Sequence, residues 1–242
     1  MIALLSSVTA GGTTTAGVLA GLLWLPFARA GRPRHPRLLW VAMPLGAILF
    51  LAGVFWIQVP LQALGGQWLV QSVPPFTLES WPLLVALPLA LLAALVQESA
   101  RWLAVSGALR VARGSLKRAP WTGALAGAGI GFVEATWLLG SIPPAHFSLW
   151  SAAVLERLLA IAFHIGAGAL IGGGIATGHP VGAFTIAVLL HTAVDSGAAL
   201  YQMGRAPYGE VLWLLAIIAG GLYSGMLVAT RRRSAPSRPT GA

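Results

Sequence analysis

Long apolar stretches separated by short polar segments dominate the pattern along the chain. A helix needs about 20 largely apolar residues to cross a bilayer. Seven stretches satisfy this requirement, at about 3–28, 38–59, 81–108, 121–140, 149–173, 181–202 and 210–230. The pattern therefore predicts an all-α, polytopic integral membrane bundle of about seven transmembrane helices.

The composition agrees with a chain that lies in the lipid bilayer. Apolar residues make up 57% of the 242 positions and charged residues only 9%, whereas about a quarter of an ordinary soluble domain is charged. So few charges cannot cover a soluble domain, which excludes a water-soluble globular protein and a disordered chain. The chain has no Cys, which excludes a disulfide scaffold, thiol catalysis and Cys-ligated metal sites.

The basic residues predict the orientation of the helices. Lys and Arg are retained on the cytoplasmic side of a membrane, and three basic clusters follow the first, third and seventh stretches. We therefore expect the N-terminus outside, the C-terminus in the cytoplasm, and no nucleic-acid partner in spite of the net charge of +9. The clusters are Arg29, Arg32, Arg34, Arg37; Arg110, Arg113, Lys117, Arg118; and Arg231, Arg232, Arg233, Arg238.

The arrangement of the stretches predicts one membrane-embedded domain over residues 1–230. A basic, disordered cytoplasmic tail is expected over 231–242. The segment 60–80 is predicted to be an outer loop with a short interfacial helix over 61–71. The core helices are expected over about 81–202, because the polar residues within the spans are all found there.

Four of the six acidic residues lie inside predicted spans, together with two Arg and two His. An unpaired carboxylate in lipid costs at least about 3 kcal/mol, so these residues indicate a functional site. They all fall on the third to sixth stretches, and the other stretches are expected to form a surrounding wall. The eight groups are Glu98, Arg101, Glu134, Glu156, Arg157, His164, His191 and Asp195.

Helical spacing predicts how some of these groups meet. Glu98 and Arg101 are three residues apart and can pair on one face. Asp195 follows His191 by four residues, so that it can hydrogen-bond the ring or be a metal ligand itself. Two His and up to three carboxylates from four helices are suitable for zinc, which would activate a water for amide hydrolysis. Structural ion pairs, Glu98–Arg101 and those of Glu156 and Arg157, are the alternative interpretation.

Glycines predict where two of the helices approach closely. Gly123, Gly127 and Gly131 follow one another at four-residue spacing, and Gly166, Gly168 and Gly172 lie on the next stretch. Small residues in this pattern let helix backbones come together in lipid.

Four short motifs occur in order on successive stretches. They are Gln97-Glu98-Ser99-Ala100-Arg101, the run from Gly129 to Ala135 that contains Glu134, Glu156-Arg157 with His164 seven residues later, and His191-Thr192-Ala193-Val194-Asp195. With these motifs the chain resembles the YhfC family of intramembrane metalloproteases. That family is similar to the CAAX-type prenyl-protein proteases, the bacteriocin-immunity proteins and the PrsW proteases. The resemblance covers about residues 81–202.

The resemblance implies a peptidase of the bacterial cytoplasmic membrane with its site inside the helical bundle. The substrate would be a membrane protein or a lipid-linked peptide. Zinc or a water molecule would be held by Glu98, His164 and His191. The implied catalytic residues are Glu98, Glu134, His164, His191 and Asp195, with Gln97, Arg101, Glu156 and Arg157 in supporting roles.

One position departs from the family pattern. Gln97 stands where the family usually has Glu, and Gln cannot accept a proton at neutral pH. A noncatalytic membrane scaffold or immunity-type binding protein of the same fold is therefore the main alternative. A proton-coupled transporter is another, in which carboxylates and His form a relay, although no inverted repeat is evident. Haem ligated by His164 and His191 is disfavoured by the four neighbouring acids.

Overall fold

The computed structural model describes residues 10–31, 41–111, 116–143 and 146–234, and within these ranges it contains helices and no strand. This confirms the all-α fold. Eight helices follow one another along the chain: α1 Ala10–Gly31, α2 Ala42–Ser72, α3 Pro75–Ser80, α4 Pro82–Val111, α5 Ala119–Gly140, α6 Ala152–Thr177, α7 Pro180–Gln202 and α8 Tyr208–Ser234.

Six of these helices, α2 and α4 to α8, are long and apolar enough to cross a membrane. They confirm the prediction of an integral, multi-pass membrane protein. The first predicted stretch, 3–28, corresponds to α1, which is helical but not among those six. Residues 1–9 lie outside the described part of the chain, as do Arg32, Arg34, Arg37, Arg113 and Arg238 of the predicted basic clusters.

Helix α2 is longer than the sequence predicts. Residues 61–71 are helical as expected, but the expected outer loop around them is wrong, because one helix continues from the predicted second span to Ser72. A π-helical turn, Val54–Gln58, interrupts it just before Pro60. The wider turn already breaks the regular hydrogen-bond ladder, so the missing N–H of Pro60 falls where the helix tolerates it.

The closest packing in the bundle joins α5 to α6. A Cβ atom on Gly123 would overlap the carbonyl oxygen of Gly168, and one on Gly127 would overlap that of His164. The prediction that the glycine stripes allow close approach is confirmed. As a result, the backbone that carries His164 lies directly against α5.

The outer helices differ from the inner ones in burial. Among the candidate spans, α5 and α6 are the most buried and α8 the least. The predicted start of the tail at residue 231 lies within α8, which runs to Ser234, and residues 235–242 are outside the described part.

Candidate active site

A fully buried ion pair lies at the centre of α4. Glu98 and Arg101 are both 0% exposed, and Nη1 of Arg101 donates to Oε2 of Glu98. The predicted pairing across one helical turn is thus present. A buried ion pair needs further partners to offset the loss of hydration, and both residues find them on other helices.

His191 of α7 binds the free oxygen of Glu98. The distance from its Nδ1 to Oε1 of Glu98 is 2.6 Å. A carboxylate can only accept, so Nδ1 carries the hydrogen and, in the neutral ring, Nε2 carries the lone pair. His191 is buried, and this contact fixes both its tautomer and its orientation.

His164 of α6 is held as the opposite tautomer to that of His191. Nη2 of Arg101 lies against Nδ1 of His164. A guanidinium can only donate, so Nδ1 accepts and Nε2 carries the hydrogen in the neutral ring. That N–H donates to Oε2 of Glu134 on α5, at 2.6 Å.

A second set of ion pairs continues from Glu134. Nη1 of Arg157 donates to Oε1 of Glu134 at 3.2 Å, and Nη2 donates to Glu156. The hydroxyl of Tyr208 on α8 donates to Oε2 of Glu156 at 2.8 Å. Sequence reasoning missed Tyr208, because a tyrosine at the end of an apolar stretch is common at a membrane interface.

Asp195 has a different role in the geometry from the expected one. Its Oδ2 is 3.6 Å from Nε2 of His191, which is too long for a hydrogen bond. Glu98, not Asp195, orients the ring, because α4 presents its carboxylate to Nδ1 while Asp195 lies one turn along α7 on the Nε2 side. The Asp195 side chain is 31% exposed.

The two imidazole rings lie side by side. Their centroids are 5.6 Å apart, with 76° between the ring planes. Phe163, which is buried, makes edge contacts with both rings. Its position gave no sequence signal, since a phenylalanine in an apolar stretch resembles any other core residue.

All eight predicted groups belong to one connected cluster across α4, α5, α6 and α7. Its contacts run in the order Asp195, His191, Glu98, Arg101, His164, Glu134, Arg157, Glu156 and finally Tyr208. The cluster holds four carboxylates and two guanidinium groups. Carboxylates therefore outnumber the permanent cations in the cluster.

The donor set predicted for zinc does not fit the arrangement. Arg101 contacts both Glu98 and His164, which are two of the three predicted ligands. Zinc would need each ligand atom within about 2.0–2.2 Å, and the guanidinium of Arg101 already holds Oε2 of Glu98 and Nδ1 of His164. Within the ranges that the structure describes, no group of three or more His, Asp or Glu is placed to hold a metal ion.

Gln97 makes its hydrogen bond outside this cluster. Its Nε2 donates to Oε1 of Gln58 in the π-helical turn of α2, at 3.2 Å. Adjacent residues on a helix point about 100° apart, so Gln97 and Glu98 serve different neighbours.

Residues 141–219 match the YhfC intramembrane metalloprotease family. This confirms the family resemblance seen in the sequence. The matched region contains Glu156, Arg157, His164, His191 and Asp195, whereas the motifs of Glu98 and Glu134 precede it. No curated protein and no solved structure matches the chain.

Proposed function

We propose that this protein is an intramembrane peptidase that hydrolyses a peptide bond of a membrane protein or of a lipid-linked peptide. The observation that carries the proposal is the state of His191. Its Nδ1–H is held by the buried Glu98, while its Nε2 has no hydrogen bond to any described residue and faces the partly exposed Asp195. The family match over residues 141–219 supports the same activity.

His191 is the proton acceptor in the reaction that we propose. Nε2 takes a proton from water as the water oxygen attacks the substrate carbonyl carbon. Glu98 stabilises the imidazolium that forms, because it already accepts the Nδ1–H. The proton then passes from Nε2 to the departing amide nitrogen as the C–N bond breaks.

Glu134 and His164 form the second pair of polar groups at the site. His164 and Arg157 both donate to Glu134, so its two oxygens are occupied. Nε2 of His191 receives no hydrogen bond from the described residues, which makes it the better acceptor. We assign the Nε2–H of His164, which Glu134 orients, to the polarisation of the substrate carbonyl, and Asp195 to the placement of the attacking water.

The family description suggests a metal. Zinc held by Oε2 of Glu98 and Nδ1 of His164 would require Arg101 to leave both residues. The proposed reaction therefore uses only side chains of this protein.

New protein termini in membranes would test the activity. We would express the wild-type chain and a His191→Ala variant in one bacterial host and compare membrane-protein termini by mass spectrometry. Termini that depend on the wild-type chain and disappear in the variant are expected. A His179→Ala variant is the matched control, because His179 is exposed at the start of α7 and makes no contact with the cluster.

A noncatalytic scaffold is the second candidate, and one observation favours it. Gln97, which stands in place of the usual family Glu, bonds to another amide, Gln58, rather than to the cluster. A scaffold predicts identical membrane termini for the wild-type chain and for His191→Ala.

A further inference from the structure

A cavity of about 470 Å³ lies between α2, α4 and α7. Asp195 lies in its wall, and glutamines from α2 and α7 line it as well: Gln58, Gln62 and Gln202. Alanines of α4 and α7 make up much of the remaining wall. None of its lining residues is basic.

Helical spacing connects this cavity to the catalytic cluster. On α4 the lining positions 86, 90 and 93 continue on the same face to Gln97. On α7 the lining begins at Asp195, and His191 lies one turn before it. The cavity thus ends at the Nε2 side of His191, where the proposed reaction takes place.

A row of amide side chains runs along one side of the cavity. Gln97 donates to Gln58, Gln58 donates to Gln62 at 3.4 Å, and Gln62 donates to the carbonyl oxygen of Leu89 at 3.0 Å. Gln58 belongs to the π-helical turn of α2, and such turns occur frequently at functional sites. The wider turn changes the direction of residue 58 around the helix axis. The amide of Gln58 therefore lies at a position that it would not occupy in a regular α-helix.

One buried polar atom at the end of this row, Oε1 of Gln97, has no hydrogen-bond partner among the described residues, and Gln97 is more than nine-tenths buried. Buried polar groups are nearly always paired, so this oxygen is open to a hydrogen-bond donor from another molecule.

We infer that this cavity is the substrate groove and that its occupant is an unwound segment of a transmembrane peptide. This rests on the proposed peptidase function. A helix that unwinds in the bilayer exposes N–H and C=O groups that lipid cannot satisfy. Glutamine amides both donate and accept, so Gln58, Gln62 and Gln97 can pair with that main chain, while the alanines leave room for its side chains.

Photocrosslinking of a synthetic transmembrane peptide in phosphatidylcholine vesicles tests this inference. The probe is a Leu/Ala peptide of about 20 residues with a photoreactive group and a central Gly-Pro pair that interrupts its helix. The comparison peptide has Ala-Ala at the centre. A His191→Ala background keeps the bound peptide intact. We expect crosslinking of the interrupted peptide to fall about tenfold in a Gln58→Leu, Gln62→Leu variant, because two amide partners are lost.

The matched control is Gln67→Leu, because Gln67 is exposed on the same helix and does not line the cavity. It should crosslink like its parent. The chain lacks Cys, so a single thiol introduced by Gln62→Cys adds an accessibility measurement that does not depend on crosslinking. This thiol should be protected from a maleimide by the interrupted peptide, and the thiol of Gln67→Cys should not.

Three results would overturn the assignment of this cavity as the substrate groove. They are equal crosslinking of both peptides, no crosslinking of either peptide, and unchanged crosslinking in the double variant. Hydrolysis is scored separately in the wild-type chain. Amide-dependent binding without hydrolysis would leave the groove intact and overturn the peptidase function. Hydrolysis that is unaffected by Gln58→Leu, Gln62→Leu would leave the peptidase function intact and overturn the groove.

Discussion

His164 and His191 carry their ring protons on opposite nitrogens, although their centroids are only 5.6 Å apart. Arg101 donates to Nδ1 of His164, and Glu98 accepts from Nδ1 of His191. Because Arg101 and Glu98 also bind each other, one ion pair sets both tautomers. The rings are therefore chemically different: one presents an N–H and the other a lone pair.

Nitrogen NMR of histidine-labelled protein can detect this difference directly. Among the five histidines, we expect at neutral pH the ring of His164 to be protonated at Nε2 and the ring of His191 at Nδ1. The variants His164→Ala and His191→Ala identify the two signals by their disappearance. Two rings with the same tautomer would contradict the contacts with Arg101 and Glu98.

Replacing Arg101 with Leu should strongly destabilise the bundle. The substitution leaves Glu98 charged and buried with one partner lost, and breaking a buried pair costs about 3–5 kcal/mol. Thermal unfolding in detergent measures the change. Adding Glu98→Gln should restore part of the lost Tm, and a double variant as unstable as the single one would show that the pair is not the cause.

The contacts of Arg101 within the polar cluster predict that the wild-type protein binds little zinc. Arg101 holds Oε2 of Glu98 and Nδ1 of His164, which are two of the atoms that zinc would use. Mass-spectrometric metal analysis of the purified chain, after zinc is supplied, should give far less than one ion per chain. A full equivalent that is lost in a His164→Ala, His191→Ala variant would mean that Arg101 moves aside when the metal binds.

Gly127→Ala should lower stability through a clash between helices. A Cβ at this position overlaps the carbonyl oxygen of His164, and forced overpacking costs about 1–3 kcal/mol. The control is Gly182→Ala, because a Cβ on Gly182 meets no atom within 4 Å. We expect a lower Tm for the first variant only, together with reduced hydrolysis because His164 is displaced.

Restoring the usual family residue with Gln97→Glu should not activate the protein. Gln97 faces Gln58 of α2, and a carboxylate there removes the donor of that hydrogen bond and adds a buried charge. The expected result is a lower Tm and no gain in hydrolysis. Increased hydrolysis would instead make residue 97 the essential base.

The sequence predicted the membrane fold and the members of the cluster because the bilayer penalises charge so strongly. Glu134 and His191 could be picked out of apolar stretches for this reason alone. It did not predict which groups touch, since the pairing of Glu98 with His191 depends on how α4 and α7 lie against each other. The amides of Gln58 and Gln62 carry no charge and gave no such signal: Gln58 lay at the end of the second predicted stretch and Gln62 in the predicted outer loop.

The length of α2 links the protein to its lipid surroundings. A helix of 31 residues rises about 46 Å, while the hydrocarbon core of a bilayer is about 30 Å thick. Such a mismatch is relieved by tilting, by bending or by local thickening of the membrane. Because the π-helical turn and both glutamines of the proposed groove, Gln58 and Gln62, lie on this helix, we expect the width of that groove to change with the chain length of the surrounding lipids.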